Sequence, residues 1–255
     1  MIRLLFCVLC WVVLSIPAAL FGFPALYFTG RVDLLWKLSV WAANTGRKLA
    51  GIRVETIDAQ RVQPGQAYLF MANHVSNLDP PIITPLLGQR ISIIAKRELF
   101  RIPLFGRAMR AANFVCVNRS DRKGAVESVR DAVNVLRSGL GMMVFPEGTR
   151  SPNGRLLPFK KGPFHLAVEA GVPVLPITIV GSYEAWPKGR FSMRSGVVRV
   201  YFHEPIEPSS FPSREELMTA VHTAIESALP AQYRAASAMD LAAMDTDATD
   251  VPPVR

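Results

Sequence analysis

Twenty-seven consecutive residues, Leu4 to Gly30, carry no charge, and Arg3 and Arg31 bracket them. No other stretch constrains the fold as strongly, because roughly 20 apolar residues suffice for a helix to cross a bilayer. Pro17 and Pro24 each lack a backbone donor and would kink such a helix. The segment that follows, RVDLLWKLSVWAANTGRKLAG, sets Trp36 and Trp41 among apolar residues, with Lys37, Arg47 and Lys48 on the polar side. That is the pattern of an amphipathic helix lying at a membrane interface. One kinked span and two shorter helices dipping into a single leaflet both fit. A cleaved leader ending at the small residues of SIPAA, near Ala19, and a pair of buried core helices are the other readings. The length of the run, followed by Trp and Lys/Arg, favours the membrane.

Charge points the same way. The formal net charge is +9, the sequence pI is near 9.9 and the mean hydropathy is +0.23. The excess is local: residues 90–163 hold 15 Lys/Arg against 5 Asp/Glu, whereas the last twenty residues hold four Asp and one Arg. An anionic partner would therefore be met in the middle of the chain. Of three cysteines, two lie in the first apolar run and Cys116 in a strand-like run, so neither a disulfide framework nor zinc spacing is present. A reducing, cytosol-facing compartment is the simple reading.

Beyond residue 50 short apolar runs alternate with helical patterns. Strands are expected at 67–72, 91–95, 114–117, 141–145, 172–180 and 197–202. Helices are expected in DRKGAVESVRDAVNVLRSG, with Val126, Val129, Val133 and Leu136 at helical spacing, in KGPFHLAVEAG, and in SREELMTAVHTAIESAL. The last has Ser213 as N-cap and Glu216 at the capping-box position. The expected fold class is α/β: a mixed, largely parallel sheet flanked by helices, with an N-terminal hydrophobic helical membrane anchor. The expected organisation is an anchor over 1–50, one domain over 51–232, and a disordered acidic tail over 233–255.

In such folds functional groups gather in loops beyond strand carboxyl ends, which singles out the loops after 72, 117 and 145. The first holds NHVSNLDPP. A spacing of five sets His74 and Asp79 on different faces of a strand or a helix, so they meet only across a turn. Asp79 then reads as an N-cap with Pro80 at the first helical position. It reads equally as the carboxylate that fixes the tautomer of a basic histidine. The loop after 145, FPEGTRSPNGRLLPFKKG, places Glu147, Gly148, Thr149 and Arg150 together, and an arginine in a glycine-containing loop suits a phosphate. Lys96 and Arg119 follow two further apolar runs. Each loop alone reads as an ordinary charged surface; together they assemble a base beside several cations. Phosphate-cradling, dinucleotide-binding and nucleophile-elbow glycine motifs are absent from the sequence, which favours direct transfer over a covalent intermediate. A basic membrane- or nucleic-acid-binding module is the non-enzymatic alternative. Binding alone has no use for a His/Asp pair, and the phenylalanines between 90 and 163 mostly read as core.

These residues resemble the glycerolipid acyltransferases. NHVSNLD is similar to that family's NHxxxxD block, FPEGTRS matches its FPEGTRS block, and VPVLPITI resembles its later V-P-[VI]-x-P-[VI] block. The segment KRELFRIPLFGRAMRAANFVCVNR is similar to the intervening region, with Asn113 and Asn118 where G-x-x-x-I-D-R is usual. The blocks keep their order over residues 67–181, and the subgroup they most resemble is the bacterial 1-acylglycerol-3-phosphate acyltransferases. The resemblance implies transfer of an acyl group from acyl-CoA or acyl carrier protein to a lysophosphatidic acid hydroxyl, giving phosphatidic acid. It implies His74 as base and Asp79 as its orienter, and Lys96, Arg119, Glu147, Gly148 and Arg150 at the glycerol-phosphate site. It also implies no metal or resident cofactor, no nucleic acid partner, and a catalytic domain at the cytoplasmic face of an inner membrane. Another acceptor, such as glycerol-3-phosphate or a different lysolipid, fits the same motifs.

Overall fold

The computed structural model describes residues 10, 12–103, 105–117, 122–190 and 192–235. Helix α1 (Val12–Thr29) is apolar and long enough to cross a membrane, and helix α2 (Asp33–Leu49) folds back on it. The turn between them rests on Gly30 at φ 69°. The helices approach so closely that a Cβ on Gly22 would lie 2.9 Å from Leu35 Cδ1. The two prolines of α1 flank a π-helical stretch, Ala18–Gly22, whose wider turn absorbs a break in the regular hydrogen-bond ladder. Little of α1 is covered: Leu20, Phe21, Tyr27 and Phe28 are exposed, as is Trp41 on α2. The described part of the uncharged run is one helix, and it forms a helical hairpin with α2.

Seven strands follow: β1 (Ile52–Ile57), β2 (Leu69–Ala72), β3 (Ile91–Lys96), β4 (Val115–Val117), β5 (Gly141–Val144), β6 (Val174–Val180) and β7 (Gly196–Phe202). They form one sheet in the order β1-β7-β6-β2-β5-β3-β4, parallel at every pairing except β6 with β7. The six expected runs each contain a strand, and β1 is additional. The central strands are buried on both faces, which is why they read as unbroken apolar runs and not as alternating ones.

Alternation along those runs still separates two cores. Phe70, Met143, Leu175 and Ile177 face helix α3 (Asp79–Leu86) and the flank of α2. Leu69, Met71, Met142, Val144 and Val174 face the other side, against Val133 and Leu136 of α6 (Arg122–Arg137), Phe164 and Ala167 of α7 (Gly162–Ala170), and Leu217, Val221 and Ile225 of the C-terminal helix (Arg214–Ser227). Two short helices, α4 (Arg97–Phe100) and α5 (Phe105–Ala111), lie between β3 and β4. A third small cluster ties α5 to the anchor through Leu26, Val32, Leu35, Ala108 and Ala112, and the Arg107 guanidinium stacks 4.6 Å from the Tyr27 ring centre. Phe105, expected in the core, is exposed.

One boundary differs from the expected one. Residue 233 is not the start of a tail: the Tyr233 carbonyl accepts from Leu156 N–H at 2.8 Å and its hydroxyl donates to Glu184 at 2.8 Å. The expected tail from 236 onward lies outside the described residues. Asn113 takes φ 59°, a left-handed conformation that glycine adopts most easily and asparagine more readily than most other residues. Asparagine is thus suited to the conformation found at this position.

Candidate active site

The connection from β2 crosses toward β3, beyond β5, while the connection from β5 crosses back toward β6, beyond β2. In open α/β sheets the ligand crevice lies outside the carboxyl ends of the strands. The loops after β2 and β5 flank this crevice, and the loop after β6 closes its side.

Asn73 ends β2. Its side chain continues the ladder to β6 in place of backbone, donating to Ile179 O at 2.9 Å and accepting from Ile179 N–H at 2.7 Å. The chain is thereby free to turn, and His74 leaves the sheet plane. Its backbone is held from the β5 loop on both sides: His74 N–H donates to Glu147 Oε1 at 2.6 Å, and Ser151 N–H donates to His74 O at 2.8 Å. The imidazole lies over the Phe145 ring at 4.0 Å between centres and 17° between planes.

Across the turn, Asp79 Oδ2 accepts from His74 Nδ1 at 2.8 Å and from the backbone amides of Val75 and Ser76, each at 2.8 Å. Oδ1 accepts from the Ser182 hydroxyl at 2.6 Å. The Asp79 side chain is fully buried, while the His74 side chain keeps 18 % of its surface. With Nδ1 donating, Nε2 carries a lone pair and has no hydrogen-bond partner among the described residues. This is the geometry of a general base with its orienter. The capping expectation for Asp79 does not hold: the residue opens α3, its N-cap is Leu78, and no side-chain cap bond forms. The carboxylate turns back to the preceding loop because three donors converge on one of its oxygens there.

Glu147 was expected to contact substrate. It is instead 1 % exposed, with Oε1 on the His74 amide and Oε2 accepting from Leu157 N–H at 2.9 Å. Burial pushes its carboxyl from 4.5 up to about 8, against the two backbone donors and with a small contribution from the Asp79 charge. Its place is under the His74 loop, as a brace. Gly148 takes φ 72° in the turn that precedes Arg150, whose neighbour Ser151 bonds the His74 carbonyl. The half-buried Arg150 guanidinium has no hydrogen bond or ion pair among the described residues, so its donors are available to an anion. Lys96 ends β3 at the same sheet edge, paired with Val117, about 10 Å from β2 by strand spacing. The Lys96 side chain and the whole of Arg119 lie outside the described residues.

The structure therefore brings together His74, Asp79, Glu147, Gly148 and Arg150. It gives contacts to Asn73 and Phe145, which open the two quoted blocks but were assigned no role, and adds Ser182 and Lys188, which lie outside them. Lys188 Nζ donates to the Arg150 carbonyl at 3.0 Å, tying the loop after β6 to the loop after β5. The post-strand rule that singled out three loops applies equally to the loop after 180 and finds Ser182 directly.

The Acyltransferase family model matches residues 53–180. The human 1-acyl-sn-glycerol-3-phosphate acyltransferase beta is 32 % identical over 206 residues, covering 80 % of this chain and 73 % of the human protein. The chain belongs to the acyltransferase family. The 1-acyl-sn-glycerol-3-phosphate acyltransferase of Cocos nucifera is 36 % identical over 166 residues, 64 % of this acyltransferase and 54 % of the coconut protein. The chain thus spans about half the length of that relative. A solved 1-acyl-sn-glycerophosphate (LPA) acyltransferase, PlsC from Thermotoga maritima, superposes with a TM-score of 0.75 at 28 % identity, covering 98 % of this chain and 99 % of that one. The fold expectation, an α/β domain with a largely parallel mixed sheet and an apolar N-terminal helix, is met.

Proposed function

We propose that this acyltransferase moves a fatty acyl group from a thioester of coenzyme A or acyl carrier protein to the free hydroxyl of 1-acyl-glycerol-3-phosphate, forming phosphatidic acid. One observation carries the chemistry: His74 Nδ1 sits 2.8 Å from a buried Asp79 carboxylate, while the imidazole stays partly exposed and Nε2 has no hydrogen-bond partner among the described residues. Nε2 removes the hydroxyl proton as the oxygen attacks the thioester carbonyl. The tetrahedral intermediate collapses by breaking the C–S bond, and the thiolate takes the proton back from the imidazolium. Asp79 stabilises that imidazolium and holds its ring. Arg150, with Lys96 and Arg119 as further cations, binds the acceptor phosphate. The names of the relatives support this acceptor.

The substrate and product are membrane lipids, and the exposed apolar residues of α1 together with Trp41 suit immersion of the hairpin in one leaflet. Arg47 and Lys48 at the end of α2 lie among polar headgroups. The catalytic domain then sits at the cytoplasmic face of an inner membrane, where acyl thioesters are supplied.

The test is purified protein in detergent with one labelled acyl donor and a panel of acceptors. The expected result is labelled phosphatidic acid from 1-acyl-glycerol-3-phosphate. Faster acylation of glycerol-3-phosphate or of another lysolipid would reassign the acceptor and keep the chemistry.

A further inference from the structure

We propose that Ser182 is a positioning residue for the His74–Asp79 pair, holding the Asp79 carboxylate in the plane that presents His74 to substrate. Three donors reach Oδ2, all from the loop after β2. Bonds to a single oxygen leave the carboxylate free to swing about its side-chain axis, because both settings of the plane can keep some of them. Oδ1 decides the plane, and its donor among the described residues is the Ser182 hydroxyl at 2.6 Å, from a residue 103 positions away in the chain.

The placement of Ser182 is built and not incidental. β6 ends at Val180, and Gly181 follows at φ 96°. A Cβ on Gly181 would lie 2.3 Å from Val197 O, so the chain turns tightly against β7 and sends Ser182 inward. Ser182 is fully buried and opens the short helix α8 (Ser182–Ala185). The segment is pinned further on: Ser76 Oγ donates to Trp186 O at 2.8 Å, and Lys188 Nζ reaches Arg150 O. Ser182 is fully buried, and its hydroxyl bonds Asp79 and not His74. It acts through Asp79, fixing the general base from the strand on the far side of β2.

The inference rests on the proposed acyl transfer, and its test has one readout independent of it. Ser182→Ala should lower kcat by roughly 10- to 100-fold, the loss typical when an outer hydrogen-bond partner of a functional group is removed. KM for acceptor and donor should stay within about twofold, and Ser182→Thr, which keeps the hydroxyl, should recover most of kcat. The second readout is the downfield Nδ1 proton resonance of His74 in histidine-labelled protein, assigned by its loss in His74→Ala. Ser182→Ala should shift or broaden it, and Ser182→Thr should leave it in place. An unmoved resonance, or a kcat within twofold of wild type, overturns the proposal, as does a loss expressed only in KM. If Ser182→Ala does not fold, Ser182→Cys, near in size and a weak donor, is read the same way. An inactive wild type with the expected resonance shift would count against the acyl-transfer reading alone.

Discussion

Glu147 is a carboxyl group buried with no cation paired to it among the described residues, and that sets a pH dependence. Its folded value of about 8 lies above its ordinary 4.5, so between those values the folded state binds more protons than the unfolded chain. Stability is then greatest at the acid end of that window and declines as pH rises through it. Thermal melts of the wild type should show a falling Tm from pH 5 to pH 8. Glu147→Gln should flatten that decline, because the titrating group is gone. It should also cost about 1–3 kcal/mol at pH 5, since an amide offers one acceptor to the two backbone donors of His74 and Leu157. A steep decline retained in the variant would place the titration elsewhere. Loss of turnover beyond the stability effect is expected too, because the same carboxyl holds the His74 backbone.

At the scale of elements, two tight turns make predictions. Gly181→Ala would push a methyl group into Val197 O at a positive φ, and should destabilise the domain by more than about 1 kcal/mol while displacing Ser182. Ser213 accepts from Glu216 N–H at 3.2 Å as the cap of the C-terminal helix. Ser213→Ala should therefore cost about 1 kcal/mol and leave turnover unchanged, since that helix faces away from the crevice. Both are measured by thermal melts beside activity assays.

The elements also show what periodicity reveals. The central strands were legible because both faces are buried and each reads as an apolar run. β1 was missed because IRVETI sits at the sheet edge with most of its residues part-exposed, so its pattern is weak, and its parallel pairing with β7 joins segments some 140 residues apart. The His/Asp pair was legible because a spacing of five demands a turn. Position pointed to Ser182 and Asn73, which directly follow β6 and β2, but not to what they do, because serine and asparagine beside a turn are ordinary, and only the packing of β6 beside β2 gives them partners. The role of Asp79 as a cap was a misreading of local chemistry that tertiary donors overrode. Glu147 was misplaced for a related reason: sequence cannot tell a loop carboxylate that faces solvent from one that faces its own backbone.

For the whole molecule, the hairpin and the catalytic domain are joined through α5 and the face of α2, so attachment to a bilayer fixes where the crevice points. Phe21→Asp with Phe28→Asp, both on exposed positions of α1, should sharply reduce binding to vesicles containing anionic lipid. It should leave the Tm of the detergent-solubilised protein within a few degrees. Undiminished vesicle binding would remove α1 from the membrane contact. The central claim is that His74 is the base and that the fold exists to present it. The most direct test is the rate of phosphatidic acid formation from 1-acyl-glycerol-3-phosphate by wild type and His74→Ala at equal vesicle binding. The predicted result is a loss of roughly 10²- to 10⁴-fold in turnover with vesicle binding unchanged. Turnover near the wild-type rate in His74→Ala would contradict it.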